Sequence, residues 1–179
     1  MIKTYNSLME LIRAGVITGE EDLVNAASID VRLGNVLKIE VKSHKPIDLA
    51  KKENIPMATM ELKDDEPFVL MPGQFILAET KEFFNLPNNL ASIIFLKSSG
   101  ARNGLNHLHA GWCDPGWHGS TLTMELTNVC QLNELIIRPN MKVGQMVFLE
   151  GEPVPDEHSY AAKGQYNNQK GAQQSKGIR

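Results

Sequence analysis

From Phe68 to Glu150 the chain is a succession of short apolar runs, each cut off by turn residues. FVLM ends at Pro72-Gly73, QFILAET and LASIIFL are parted by Asn85 to Asn89 around Pro87, and LIIRPNM and VGQMVFLE follow later. Runs spaced about 8–12 residues apart, with no helical segment long enough for βαβ crossovers, point to an all-β barrel or sandwich. Two earlier segments fit that frame. Residues 5–15 read as a short amphipathic helix, with Asn6 or Ser7 as cap, Leu8, Leu11 and Ile12 on one face and Gly15 at its end. In Ser28–Gly34, Ile29, Val31 and Leu33 alternate with Asp30 and Arg32, the period of a half-buried strand that continues through Val41. Residues 43–65 are polar and mixed and read as a long loop with one short strand. The expected fold class is mainly β with a short N-terminal helix.

Composition narrows the partners more than the fold. The length of 179 residues suits one domain with a sizeable core, and the net charge of −3 gives no general attraction for nucleic acid. Cys113 and Cys130, the two cysteines, have no spacing that suggests a disulfide framework or thiolate metal cage. The N-terminus lacks a signal-peptide core, and no apolar run approaches the ~18 residues of a membrane span, so the expected location is the cytoplasm. The tail changes character: residues 160–179 hold Lys163, Lys170, Lys176 and Arg179, no acid, and many Gly, Gln and Asn. Such a tail is either disordered or a mobile basic lid over an anion. The expected division is a barrel domain at 1–159 and a lid segment at 160–179.

Polar chemistry is concentrated in Phe95 to Asn128. Lys97-Ser98-Ser99-Gly100 offers an ammonium, two hydroxyls and successive backbone N–H groups, and Arg102 follows; the set is either a polar turn or a phosphate cradle. Along Thr121–Asn128, Leu122, Met124 and Leu126 share one face while Thr121, Thr123, Glu125 and Thr127 share the other. Glu125 is then either a solvated side chain or, if that face lines a pocket, a general base. Asp114-Pro115-Gly116 favours a tight turn, in which Asp114 caps the turn or orients a sugar hydroxyl or a water. Trp117 serves as core or as a flat wall against a sugar or base. His107 and His109, two apart, would lie on one side of a strand, but no third ligand stands at a recognisable spacing; His118 reads as a surface residue.

Several of these motifs, in order, resemble the dCTP deaminase branch of the dUTPase-like superfamily. Ser28 to Asn35 resembles the family's S-x-D-[VL]-R-L-G signature, and Lys97 to Leu105 its [RK]-S-S-x-x-R-x-G-L loop. Ala110 to Gly119 resembles A-G-x-x-D-P-G-[FW]-x-G, Leu122 to Asn128 the T-L-E-L-x-N strand, Arg138 to Gln145 the P-G-M-x-I-G-Q turn, and Tyr166 to Gly171 the K-Y-x-x-Q-x-G tail. Gly104 to Ala110 is one residue shorter than the usual spacing and Gly119 to Glu125 one longer, which suggests a bulge.

The resemblance implies a dUTPase-like distorted β-barrel with a mobile C-terminal tail, assembled as a homotrimer or as a hexamer of two trimers with shared active sites. It implies hydrolytic deamination of dCTP to dUTP and ammonia without zinc, Mg²⁺ riding in on the triphosphate, and it brings in dTTP as a candidate feedback ligand. Glu125 matches the catalytic glutamate, Ser98 the serine that holds water and base, and Arg102 the arginine that sets the glutamate's charge and position. Lys97 and Ser99 would contact phosphates, Ala110 and Gly111 would read the cytosine edge, and Trp117 would pack on the deoxyribose. Tyr160, Gln165 and Gln169 fall near the tail's nucleotide contacts. Zinc deaminases carry H-x-E and P-C-x-x-C, and neither motif is present.

Three alternatives remain beside dUTP as product. A bifunctional enzyme would also cleave the triphosphate to dUMP; Asp114 stands where dUTPases keep a water-activating aspartate, but non-cleaving relatives carry it too. A 5-substituted cytosine nucleotide could replace dCTP, given the altered loop. A non-catalytic nucleotide-binding regulatory trimer would use the same fold without turnover.

Overall fold

A computed structural model of the chain describes residues 1–177, so Arg179, counted above with the basic tail, lies outside the described residues. Helix α1 (Tyr5–Arg13) starts after Thr4, and Asn6 and Ser7 lie inside it rather than capping it. Leu8 is fully buried and Leu11 and Ile12 lean on the core, as the spacing predicts; Gly15, at φ +71°, turns the chain away. Ten strands follow: β1 (Ile29–Glu40), β2 (Met57–Glu61), β3 (Phe68–Leu70), β4 (Phe75–Asn85), β5 (Leu90–Leu96), β6 (Leu105–His107), β7 (Trp112–Cys113), β8 (His118–Asn128), β9 (Leu135–Ile137) and β10 (Lys142–Glu150). Of two single-turn helices, α2 (Ser98–Ala101) lies between β5 and β6 and α3 (Tyr160–Lys163) follows β10. The 43–65 region holds one strand, β2, and a 3₁₀ turn at Leu49–Lys51, in line with the reading of a long loop.

Eight strands form one sheet in the order β6-β8-β4-β1-β10-β5-β7, with β2 also on β1; β3 and β9 pair apart from it. The sheet curls because β1 serves two neighbours in turn. Its first residues pair with β10 (Ile29↔Met146), and its later ones with β4 (Leu37↔Ala78) and β2 (Leu37↔Met60). The hand-over passes Gly34, where a Cβ would run into the Glu79 side chain. The concave face holds Leu33, Leu37, Ile76, Met124, Met146 and Phe148, all at 0% exposure, and gives the mainly β, barrel-like architecture its core.

Two of β1's polar residues are not on a wet face. Asp30 is buried, accepts from Asn25 Nδ2 at 2.8 Å and Lys97 Nζ at 2.7 Å, and faces Lys142 Nζ at 3.7 Å. Arg32 pairs through Nε with the buried Glu82 at 2.7 Å, and its backbone N–H donates to the other Glu82 oxygen at 2.7 Å. Strand alternation marks which side a residue takes; it does not show that a charged partner waits there.

Candidate active site

β8 follows its sequence pattern. Met124 and Leu126 are fully buried and Leu122 nearly so, while Thr121, Thr123 and Glu125 are half-buried on the opposite face. That face is the floor of a cavity of about 510 Å³. Phe75 and Leu77 of β4 extend the floor, Leu77 directly beside Glu125 in register. One wall is Ala110 with Trp112 to Asp114 and Trp117; another is Glu53, Asn54 and Ile55.

The tail closes the top, and an unpaired strand edge explains why. β6 covers only Leu126 to Asn128 of β8, so the preceding residues keep free backbone groups on that side. Tail residues take them up in the manner of an added strand. Asn168 N–H donates to His118 O at 3.1 Å, Thr121 N–H to Gln169 O at 3.0 Å, and Gln173 N–H to Thr123 Oγ1 at 3.0 Å. The chain then crosses to the far wall, where Gln174 Nε2 donates to Ile55 O at 2.8 Å and Asn54 Nδ2 to Ser175 O at 2.9 Å. Ala172 is buried beneath it. The register between β4 and β8 slips where Phe84 faces Ser120 and Asn85 faces His118, and Gly119 between them has φ +66°. The extra residue before Glu125 is thus absorbed as a bulge at Gly119.

Of the residues singled out from the sequence, Glu125, Asp114, Trp117, Ala110, Tyr160 and Gln169 line this cavity. Trp117 is 5% exposed, packs on Phe84 at 5.2 Å between ring centroids, and donates from Nε1 to Tyr166 O at 2.8 Å. It is core and cavity wall at once. Asp114 accepts from Trp112 Nε1 at 2.8 Å. The Tyr160 hydroxyl accepts from Tyr166 N–H at 3.3 Å, and burial raises its pKa. Gln165 lines a second hollow of about 440 Å³, which shares Asp114, Tyr160 and Tyr166 with the first and adds His158 and Lys163. Gly111 is buried beside Ile94, where a Cβ would clash, and does not reach the cavity wall.

Lys97, Ser98, Ser99 and Arg102 are not brought to this cavity. Lys97 is drawn to Asp30, and Ser98, Ser99 and Arg102 stand exposed on and just after α2. Among the described residues, the charged side chains lining the main cavity are Glu53, Asp114 and Glu125, all acidic.

The histidine pair differs from the sequence expectation. β6 ends at His107, and His109 lies beyond it in a left-handed turn at φ +63°, so the two rings do not share a strand face; they sit 6.3 Å apart at 82°. His107 is 3% exposed. Its Nδ1 accepts from His109 N–H at 3.3 Å, and its Nε2 lies 3.3 Å from Glu125 Oε2. That last contact is off the line of a well-aligned hydrogen bond, yet neither atom has another hydrogen-bond partner among the described residues. His118, expected at the surface, is half-buried at the start of β8, with Nδ1 2.8 Å from Gly116 O. Among the described residues no three His, Cys, Asp or Glu side chains converge on a metal position.

Sequence reading missed Glu53, Asn54, Ile55, Gln173 and Gln174 as cavity residues. The first three sit in a loop without periodicity, and the two glutamines in a tail of low complexity. It also missed Glu79, a carboxyl 9% exposed beneath the tail, because the run QFILAET shows no alternation that separates it from surface acids.

Among known proteins, a family model described as dCTP deaminase-like matches residues 2–151. A Mycobacterium tuberculosis protein named "dCTP deaminase, dUMP-forming" is 40% identical over 164 residues, covering 89% of this chain and 85% of its own. The Mycobacterium ulcerans protein of the same name is 37% identical with the same coverage. The crystal structure of 2'-deoxycytidine 5'-triphosphate deaminase from Agrobacterium tumefaciens superposes with a TM-score of 0.67 at 19% identity, over 84% of this chain. This chain spans about half (48%) of that structure's chain, and the likeness there is one of fold.

Proposed function

The chain belongs to the dCTP deaminase-like family, and from that premise we propose that it converts dCTP to dUMP at one kind of site. In the first step dCTP and water give dUTP and ammonia; in the second, dUTP and water give dUMP and pyrophosphate. The sequence reading put dUTP as the end product and dUMP as the alternative. Relatives 37% and 40% identical to this chain carry the name dUMP-forming, which supports the alternative.

The observation that carries the reading is the position of Glu125. Its carboxylate opens on the cavity floor, half-buried, with Leu77 beside it and aromatic walls around it. A base there takes a proton from water as oxygen attacks C4 of cytosine and returns it to the departing amine, so one group serves both transfers. Asp114 lies on the wall shared by both hollows, and in this reading it activates the second water at the α-phosphate. Trp117 packs on the deoxyribose, Ala110 reads the base without Gly111, which does not line the cavity, and Tyr160, Gln165 and Gln169 hold the nucleotide from the lid, residues 160 onward.

An all-acidic cavity is wrong for a triphosphate. The cations and hydroxyls that match the family, Lys97, Ser98, Ser99 and Arg102, are exposed or partly exposed elsewhere on the chain. A neighbouring copy in a homotrimer supplies them, Lys97 and Ser99 to the phosphates, Ser98 and Arg102 to the water and the glutamate. Mg²⁺ arrives on the triphosphate with phosphate oxygens as its ligands, and the deamination step uses no zinc. dTTP, with the same triphosphate, would compete with dCTP as a feedback ligand. We place the enzyme in the cytoplasm; no helix among the described residues is long and apolar enough to cross a membrane.

The test is a time course with dCTP and Mg²⁺, resolving dUTP from dUMP. Expected are dUMP and pyrophosphate, loss of about 10³-fold or more in Glu125→Gln, and dUTP accumulation in Asp114→Asn. If wild type stops at dUTP, the second step is wrong. If dCTP is not consumed at all, the enzyme reading falls and a nucleotide-binding regulatory trimer is the better account.

A further inference from the structure

Glu125 has two carboxylate oxygens, and the protein treats them differently. Oε2 is buried against His107 Nε2 at 3.3 Å, while the carboxylate still lines the cavity, so the other oxygen is the one that meets substrate. The state of His107 follows from its other nitrogen. Nδ1 accepts the His109 N–H at 3.3 Å, so it carries a lone pair and not a proton. A neutral ring then bears its proton on Nε2, the nitrogen 3.3 Å from Oε2; the opposite tautomer would set two donors against each other.

Resting on the deaminase reading above, we propose that His107 is a positioning residue: its Nε2–H holds the inner oxygen of Glu125, so that all proton traffic uses the outer oxygen. A carboxylate fixed in this way takes the proton from water and hands it to the amine without rotating or exchanging oxygens. The elements are built to hold the pair. His107 is the last residue of β6, opposite Leu126 of β8, and Leu108 N–H donates to the Glu125 carbonyl at 3.1 Å. Backbone and side chain thus tie the base to the same strand. His107 does not line the cavity, so it acts through Glu125 and not on the nucleotide. The long, off-line contact is what a catalytic hydrogen bond shows before substrate tightens it. A ring that only filled the core would need no polar partner at Nε2, and a ligand binding a metal through Nε2 would carry its proton on Nδ1 and donate it, whereas Nδ1 here accepts.

Two variants separate positioning from packing. The shorter amide of His107→Asn falls near the Nδ1 position and leaves Oε2 unpaired; the longer amide of His107→Gln reaches the Nε2 position and keeps a donor there. Expected for His107→Asn is a fall in kcat of about 30- to 100-fold, as for a catalytic group displaced by an ångström, with KM for dCTP within about threefold of wild type. His107→Gln should restore kcat to within about fivefold. His107→Asn combined with Glu125→Gln should be no slower than Glu125→Gln alone, since the two act as one unit. Melting curves of both single variants check the fold. The idea is overturned if His107→Asn keeps kcat within about threefold, or if His107→Gln falls as far as His107→Asn, which marks ring packing. ¹⁵N NMR of the histidines gives a readout independent of turnover: His107 should be neutral with its proton on Nε2, and a proton on Nδ1 at neutral pH would sink the assignment. Absence of dCTP turnover in wild type would reject the deaminase reading and leave the tautomer to be judged by the NMR alone.

Discussion

Glu79 shows how a single buried carboxyl ties the C-terminal tail to the sheet. It packs beneath the bend at Gly34 and accepts from Val36 N–H at 3.3 Å and from Thr121 Oγ1 at 3.2 Å, and the tail's Gly171 N–H also donates to it. Burial raises its pKa above the ordinary 4.5, more than these hydrogen bonds pull it back. A carboxyl whose pKa is raised on folding binds more protons in the native state than in the unfolded one, so its contribution to stability is full below pH 4.5 and is lost as pH rises through the raised value. Glu79→Gln removes that loss. The difference in unfolding free energy between Glu79→Gln and wild type should therefore grow in favour of the variant as pH rises from 4.5. Urea midpoints across that range measure it; a difference that is flat with pH would mean the carboxyl titrates normally. Cys113 is a quieter case: burial pushes its thiol up to about 12, which makes it an inert core residue.

At the scale of elements, β8 carries both Glu125, the proposed base, and the edge on which the tail sits, and the bulge at Gly119 sets their relation. At φ +66° a Cβ is strained, and here it would also strike the Asn168 side chain. Gly119→Ala should cost about 1–2 kcal/mol of stability. More tellingly, it should unseat the tail: KM should rise about tenfold, the cost of one or two lost contacts, and trypsin should cut at Lys170 faster than in wild type. Unchanged KM with a lowered melting temperature would separate the bulge from lid closure. The resemblance reached this place through a count of residues, one more than usual before Glu125. Which residue absorbs the extra one was not readable, because any of Gly119 to Met124 could bulge until the pairing with β4 is known.

At the scale of the whole molecule the question is whether one chain makes a site. Glu125 and Arg102 are 23 residues apart in sequence and face different regions of the surface, the first a closed cavity and the second solvent. In a cyclic trimer with sites between neighbours, Glu125→Gln and Arg102→Ala chains, each inactive alone, complement one another. Dissociating a 1:1 mixture and letting it reassemble should restore about a quarter of wild-type activity, the fraction of interfaces that pair an intact glutamate with an intact arginine. No recovery from reassembled mixed oligomers would mean that each chain completes its own site by moving α2.

Much of this was legible in order along the chain. The spacing of apolar runs gave β structure, alternation put Glu125 opposite Met124 and Leu126, and the motifs pointed to the family that the comparisons show, because those signals are local in the chain. Tertiary structure decided the rest. It set the Glu53–Ile55 loop and the tail on opposite sides of one cavity, turned His107 onto Glu125 and His109 away, and buried Glu79 and Asp30 among donors. None of these has a period or a fixed offset, since each depends on which distant strand edge, amide or charge the curled sheet brings alongside.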